Sequence, residues 1–95
     1  MECTYLRVEW IHDSDDEPVL LFSELDRDRM ELRKIEIYRS GRADRCDQQS
    51  RSGTTMLSVE PIPAIEEIAS DSRFLPVEIA RQEFESVWSD CGESE

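Results

Sequence analysis

Residues 18–25 read PVLLFSEL. As a strand this run is apolar on both faces, with Val19, Leu21 and Ser23 alternating against Leu20, Phe22 and Glu24. Such a strand must be covered on both sides, or line a small closed sheet. No other feature limits the fold as much, because it calls for a central strand in a chain of only 95 residues.

The neighbouring segments supply strands to flank it. In TYLRVEWIH, residues 4–12, Leu6, Val8, Trp10 and His12 alternate with Tyr5, Arg7, Glu9 and Ile11. That period of two predicts a strand, with Trp10 as a core anchor. The polar run DSDDE at 13–17 predicts a turn closed by Pro18. After the charged connection DRDR, a third strand is expected over 30–39. Strict alternation there places Glu31 and Arg33 on one face with Ile35 and Ile37. Ser40 and Gly41 predict a two-residue hairpin turn, Gly supplying the positive φ. A weaker strand at 42–47, a flexible loop at 48–53 and a further strand at 54–60, TTMLSVE, complete the sheet region.

Pro61 and Pro63 end that region, and Pro63 suits the first position of a helix. Ile65, Ile68 and Ala69 form a short helical stripe. Phe74 and Leu75 are expected to pin a connection to the core, with Pro76 opening the last segment. Phe84, Val87, Trp88 and Cys91 fall at i, i+3, i+4, i+7 and predict a helix over 81–90. The tail 92–95 is expected to fray. The reading is one α+β domain, 1–95, strand-rich over 4–60 and helical over 63–91. Its sheet is an antiparallel β-meander of four to five strands, with two short C-terminal helices packed on one face.

Charge narrows the function classes. The net charge is −12. Residues 1–25 carry −6, residues 26–52 carry +2 and residues 53–95 carry −8. That balance disfavours direct binding to nucleic acid or to an anionic membrane, and it steers in basic proteins. No apolar run approaches the roughly 20 residues that cross a bilayer, and the N-terminal residues lack the pattern of a secretory signal. Cys3, Cys46 and Cys91 are odd in number and widely spaced, which predicts reduced thiols, a cytoplasmic setting and no metal or cofactor site.

Few residues carry a chemical signal. His12 with Asp13, Asp16 and Glu17 is the best catalytic cluster, since an adjacent carboxylate can orient a histidine base. The ordinary role of a histidine at a strand end is a structural hydrogen bond. Cys46 lies among Arg39, Arg42 and Arg45, a setting that lowers a thiol pKa. Arginines and acids alternate through 27–39, as on a solvated sheet face with cross-strand ion pairs. The acids Asp13, Asp15, Asp16, Glu17, Glu24, Asp26, Asp28, Glu66 and Glu67 are the candidate partner-binding set.

The strings YLRVEWIHD at 5–13, DEPVLLFSELD at 16–26, ELRKIEIYRSGR at 31–42 and EFESVW at 83–88 resemble DUF6881, a family of small bacterial proteins of unknown function. The resemblance implies a shared fold and no assigned activity. It also implies Ser or Thr before the last helix, where this chain has Ala80. A capping box with Glu83 would then lack its N-cap side chain.

The expected function is non-enzymatic: an acidic protein that inhibits or neutralises a basic partner. Such a protein would serve as an immunity protein, or as a phage-type inhibitor such as an anti-CRISPR or nucleic-acid mimic. The alternatives are a small enzyme using the His12 cluster with the Arg33 and Lys34 region, and a self-assembling module that dimerises through residues 19–22.

Overall fold

The structure, a computed structural model, describes residues 3–50 and 55–92. Five strands form one antiparallel sheet: β1 (Thr4–Trp10), β2 (Leu20–Leu25), β3 (Glu31–Ile37), β4 (Ala43–Cys46) and β5 (Phe74–Ile79). A short helix, α1 (Ile65–Ala69), precedes β5, and α2 (Arg81–Gly92) follows it. The spatial order is β4-β3-β2-β1-β5, so the two-faced strand β2 is central, as its sequence requires.

Only the first four strands run as a meander. β5 lies beside β1, with Tyr5 opposite Ile79 and Trp10 opposite Phe74. The expectation of a simple meander is corrected here, and so is the reading of residues 74–76 as a connection. Pro76 hid this strand. The Ile11 amide donates to the Arg73 carbonyl at 2.8 Å, whereas the Trp10 amide donates to Val19 on the β2 side. Odd positions of β1 therefore bond to β5, and the partners of its even positions point outward. Pro76 is opposite Val8, so its missing N–H falls on the open edge, where proline is tolerated.

Alternation along the strands separates the two faces. One face carries Tyr5, Phe22 and Ile35, which form a buried cluster with Phe84 of α2. Val87, Trp88 and Cys91 pack around that cluster, so the predicted helical stripe is the stripe that docks. The other face carries Leu6, Val8 and Leu21, and α1 lies against this side with Ile68. The helices thus cover opposite faces, not one. The physical reason lies in β2: Leu21 needs cover as much as Phe22 does. Trp10 is on the α1 side, half-buried, stacked on Phe74 at 5.6 Å and outside the main cluster.

The expected strand over 54–60 is irregular chain from 55 to 60. It crosses the α1 face, where sheet hydrogen bonding is not offered, and side chains hold it. The Glu31 carboxylate accepts the Ser58 amide at 2.8 Å, and Lys34 donates to the Met56 carbonyl at 3.2 Å. The Arg29 carbonyl accepts the Ile62 amide at 2.8 Å, and the Arg29 guanidinium donates to the Ile62 and Pro63 carbonyls at 2.8 and 2.7 Å. Its φ of 65° is the only positive value at a described non-glycine residue. Left-handed backbone costs about 1–2 kcal/mol in an L-residue, and these bonds offset it.

Two turns differ from expectation. The β3–β4 turn closes on the pair Tyr38 and Arg42, so its loop has three residues, ending at Gly41 with φ 96°. In the β2–β3 hairpin the register shifts between Glu24 and Leu25, placing Glu31 opposite Leu25. That bulge moves Glu31 off the face of Ile35 and onto the α1 face. The expected residues 51–53, Thr54 and the tail 93–95 lie outside the described residues.

The start of α2 agrees with the sequence. The Phe84 amide donates to the Ala80 carbonyl, which makes Ala80 the N-cap. Glu83 pairs with Arg7 at 3.7 Å. Ala80→Ser would add a side-chain acceptor for an orphan amide, and we expect a gain of about 1 kcal/mol. A urea titration of both proteins checks this, and an unchanged midpoint would place the cap elsewhere.

Candidate functional site

The residues proposed from sequence fall in four places. Asp13, Asp15, Asp16 and Glu17 lie in the loop joining β1 to β2, all exposed. Asp26 and Asp28 lie in the β2–β3 turn, at the opposite end of β2, a strand of six residues and about 20 Å long at about 3.3 Å per residue. Glu66 and Glu67 are exposed on α1 over one face. Glu24 is on the other face and largely buried.

Their roles differ accordingly. Asp26 organises its turn, Oδ1 accepting the amides of Asp28 and Met30 at 2.8 and 2.9 Å. Asp15 pairs with Arg39 at 3.0 Å. Asp13, Asp16, Glu17, Asp28, Glu66 and Glu67 form no ion pair among the described residues and face solvent.

His12 is held by backbone on both ring nitrogens. Nδ1 accepts the Ser14 amide at 3.0 Å, which leaves Nε2 to donate to the Pro18 carbonyl at 2.8 Å. With both nitrogens engaged, the ring braces the loop 13–17 and sits edge-on to Trp10 at 4.6 Å. Asp13, Asp16 and Glu17 make no hydrogen bond to it. Neither the concavity under α1 nor the one between α2 and the β3–β4 turn includes any of these four residues. Arg33 lies on the α2 face, away from this loop.

Cys46 is buried on the face opposite Arg45, since adjacent strand residues alternate. Arg45 lies on the α2 side, 4.5 Å from the Trp88 ring centroid and donating to the Trp88 carbonyl at 2.9 Å. Residues 19–22 are flanked by β1 and β3, which leaves no open strand edge there for a second copy.

The most organised polar group was missed as a unit by the sequence reading. Arg33 bridges Glu24 and Glu85, its Nε donating to Glu24 at 2.6 Å and one Nη to Glu85 at 2.6 Å. The Tyr5 hydroxyl donates to the same Glu24 carboxylate at 2.9 Å. The guanidinium also lies 4.9 Å from the ring centroids of both Phe84 and Trp88. Arg33 is pushed above its ordinary pKa, chiefly by the hydrogen bond to Glu24, and Glu85 is held below the usual carboxylate range chiefly by Arg33. The signal was present: Arg33 shares the face of Ile35 and lies opposite Glu24 on β2. Because Arg33 is only 19% exposed, this group is a structural clamp between sheet and α2.

The arrangement defines a small, acidic α+β domain that encloses its strongest ion cluster and presents carboxylates to solvent. The chain belongs to DUF6881, a domain of unknown function whose family profile matches residues 4–93. No curated protein and no solved structure matches it. Among the described residues, no helix is long and apolar enough to cross a membrane.

Proposed function

We propose that this protein is a non-enzymatic binding protein that captures and neutralises a basic protein, acting in a reducing cytoplasm. The observation that carries the reading is how the charges are used. Among the described residues, twelve acids are exposed and only Asp15 and Glu83 of them form ion pairs. Of the exposed bases among the described residues, Arg39, Arg42, Arg73 and Arg81 all pair with acids of the same chain, and only Arg27 does not. The basic groups are therefore masked while the acidic ones are not. What a partner meets at the surface is therefore chiefly unpaired carboxylate.

Such a field speeds encounter with a basic surface and competes with phosphates for it. A toxin or a nucleic-acid-processing enzyme, whose own site must attract phosphates, fits this chemistry. An immunity protein and a phage-type inhibitor are two forms of the same activity. The braced His12 and its separated acids weigh against the enzyme reading.

Capture from host lysate with tagged protein, at low ionic strength and again at high, tests the proposal. One stoichiometric basic partner is expected at low salt and is released at high salt, because exposed charges are screened beyond a Debye length of about 8 Å at physiological strength. A variant carrying Asp13→Asn, Asp16→Asn and Glu17→Gln, none of which bonds through its side chain, should bind more slowly with unchanged thermal stability. Capture indifferent to salt and to these substitutions would overturn the reading.

A further inference from the structure

A second feature of the molecule is independent of the surface charge. Between the sheet and the chain that crosses it lies a cavity of about 380 Å³. This is within the range of about 300–1,000 Å³ typical of small-molecule pockets. Its floor is Leu6, Val8 and Leu21 from the central strands, and its walls include Ile62, Ile68 and Phe74. The same cavity is lined by the Glu31 side chain.

Glu31 is the anomaly. The residue is 5% exposed, and no basic group lies within ion-pair distance of it among the described residues. Lys34, which also lines the cavity, donates to the Met56 carbonyl and pairs with Glu36 at 3.7 Å. Glu31 receives two neutral hydrogen bonds, from the Ser23 hydroxyl at 2.6 Å and the Ser58 amide at 2.8 Å. A carboxylate has room for about four donors, so acceptor capacity remains. A buried charge is normally compensated by an opposite one. Glu67 and Asp71 at the rim add negative charge, although Arg73 binds Asp71 at 2.8 Å.

We propose that this cavity binds a small amphipathic cation: an apolar body against Leu6, Val8 and Leu21, with a protonated amine on the Glu31 carboxylate. The amine supplies the countercharge that the fold does not. Apolar walls supply affinity, and the single buried carboxylate selects the sign of charge.

The test uses three probes of similar shape and different charge: phenethylamine, phenethyl alcohol and hydrocinnamate. Titration is followed by NMR of the methyl groups. The amine should shift the methyls of Leu6, Val8, Leu21 and Ile68, saturating in or below the millimolar range. The alcohol should bind at least about tenfold more weakly, which is about 1.4 kcal/mol, and hydrocinnamate not at all.

Glu31→Gln keeps a carbonyl oxygen for the Ser58 amide, places an N–H where the Ser23 hydroxyl can turn to accept it, and removes the charge. It should weaken the amine about tenfold or more while leaving the alcohol unchanged. Equal binding of amine and alcohol, equal amine binding by this variant, or shifts confined to the loop 13–17 would each overturn the proposal. Should Glu31→Gln fail to fold, Leu21→Phe narrows the cavity and leaves the carboxylate in place. Undiminished amine binding by that variant would overturn it equally. Neither result bears on capture of a basic protein through the exposed acids.

Discussion

Phe84→Ala is expected to lose about 3–5 kcal/mol of stability, the usual cost of truncating a fully buried phenylalanine to alanine. Phe84 has no exposed surface and is the largest such side chain in the core. Its ring sits 5.3 Å from that of Tyr5 and 6.2 Å from that of Trp88. It is also the residue through which α2 joins Tyr5, Phe22 and Ile35 in one cluster. Truncation leaves a cavity between helix and sheet and removes a ring from beneath the Arg33 guanidinium. At about 4–8 °C per kcal/mol for a domain of this size, the melting temperature should fall by about 12 °C or more. Since small domains hold only about 5–15 kcal/mol in all, the variant should be close to unfolding at growth temperature. Thermal and urea melts decide the point. A loss below about 1 kcal/mol would mean that α2 contributes little to the folded state. Phe84→Leu, which keeps most of the volume, should fall between the two.

The same helix shows which parts of the fold a sequence can reveal. The stripe Phe84, Val87, Trp88 and Cys91 is a local period, and local periods survive in any tertiary setting. The two-faced character of β2 was equally legible, and it implied cover on both faces. Placing both helices on one face was inconsistent with that implication, and the structure resolves it in favour of Leu21. Non-local features were harder to read. β5 carries Leu75, Val77 and Ile79 in alternation, but Pro76 is acceptable only on an outer edge, and edge position depends on where the strand docks. Glu31 depends on a single bulge, which reverses its face and turns a core-side position into a wall of the cavity. Alternation extrapolated through a bulge assigns every residue beyond it to the wrong side. The acids at 13–17 were legible as a solvated turn. Glu24 was not legible as interior, because its partner Arg33 is contributed by a different strand.

Arg33→Met is expected to cost about 3 kcal/mol, since removing one member of a buried ion cluster leaves the others uncompensated. Glu24, with 12% of its side chain exposed, would keep only the Tyr5 hydroxyl as a donor. Glu24→Gln removes the stranded charge while keeping an acceptor for Tyr5. The double variant should therefore be more stable than Arg33→Met alone, by about 1 kcal/mol or more. If the two losses simply add, the cluster is not a coupled unit and the role of Arg33 is confined to covering Phe84 and Trp88. The pH dependence provides a separate check at each end of the scale. Glu85 is more acidic in the folded state than its ordinary value, so its contribution is present above that value and is lost as the pH falls through the acid range. Tyr5 is raised from 10.0 to about 12, by burial first and then by its bond to Glu24. Its folded form holds the proton more tightly, so that contribution is complete below pH 10 and is lost between pH 10 and about 12. Tyr5→Phe should reduce the alkaline loss, leaving the part due to the Cys91 thiol, which burial also raises, and should keep the acid limb in place. Arg33→Met should shrink the acid limb, because Glu85 would then lose the guanidinium that lowers it, while Asp47 and Asp71 keep their own partners. Melts across both limbs for the three proteins separate a cluster that acts as one clamp from a set of independent contacts.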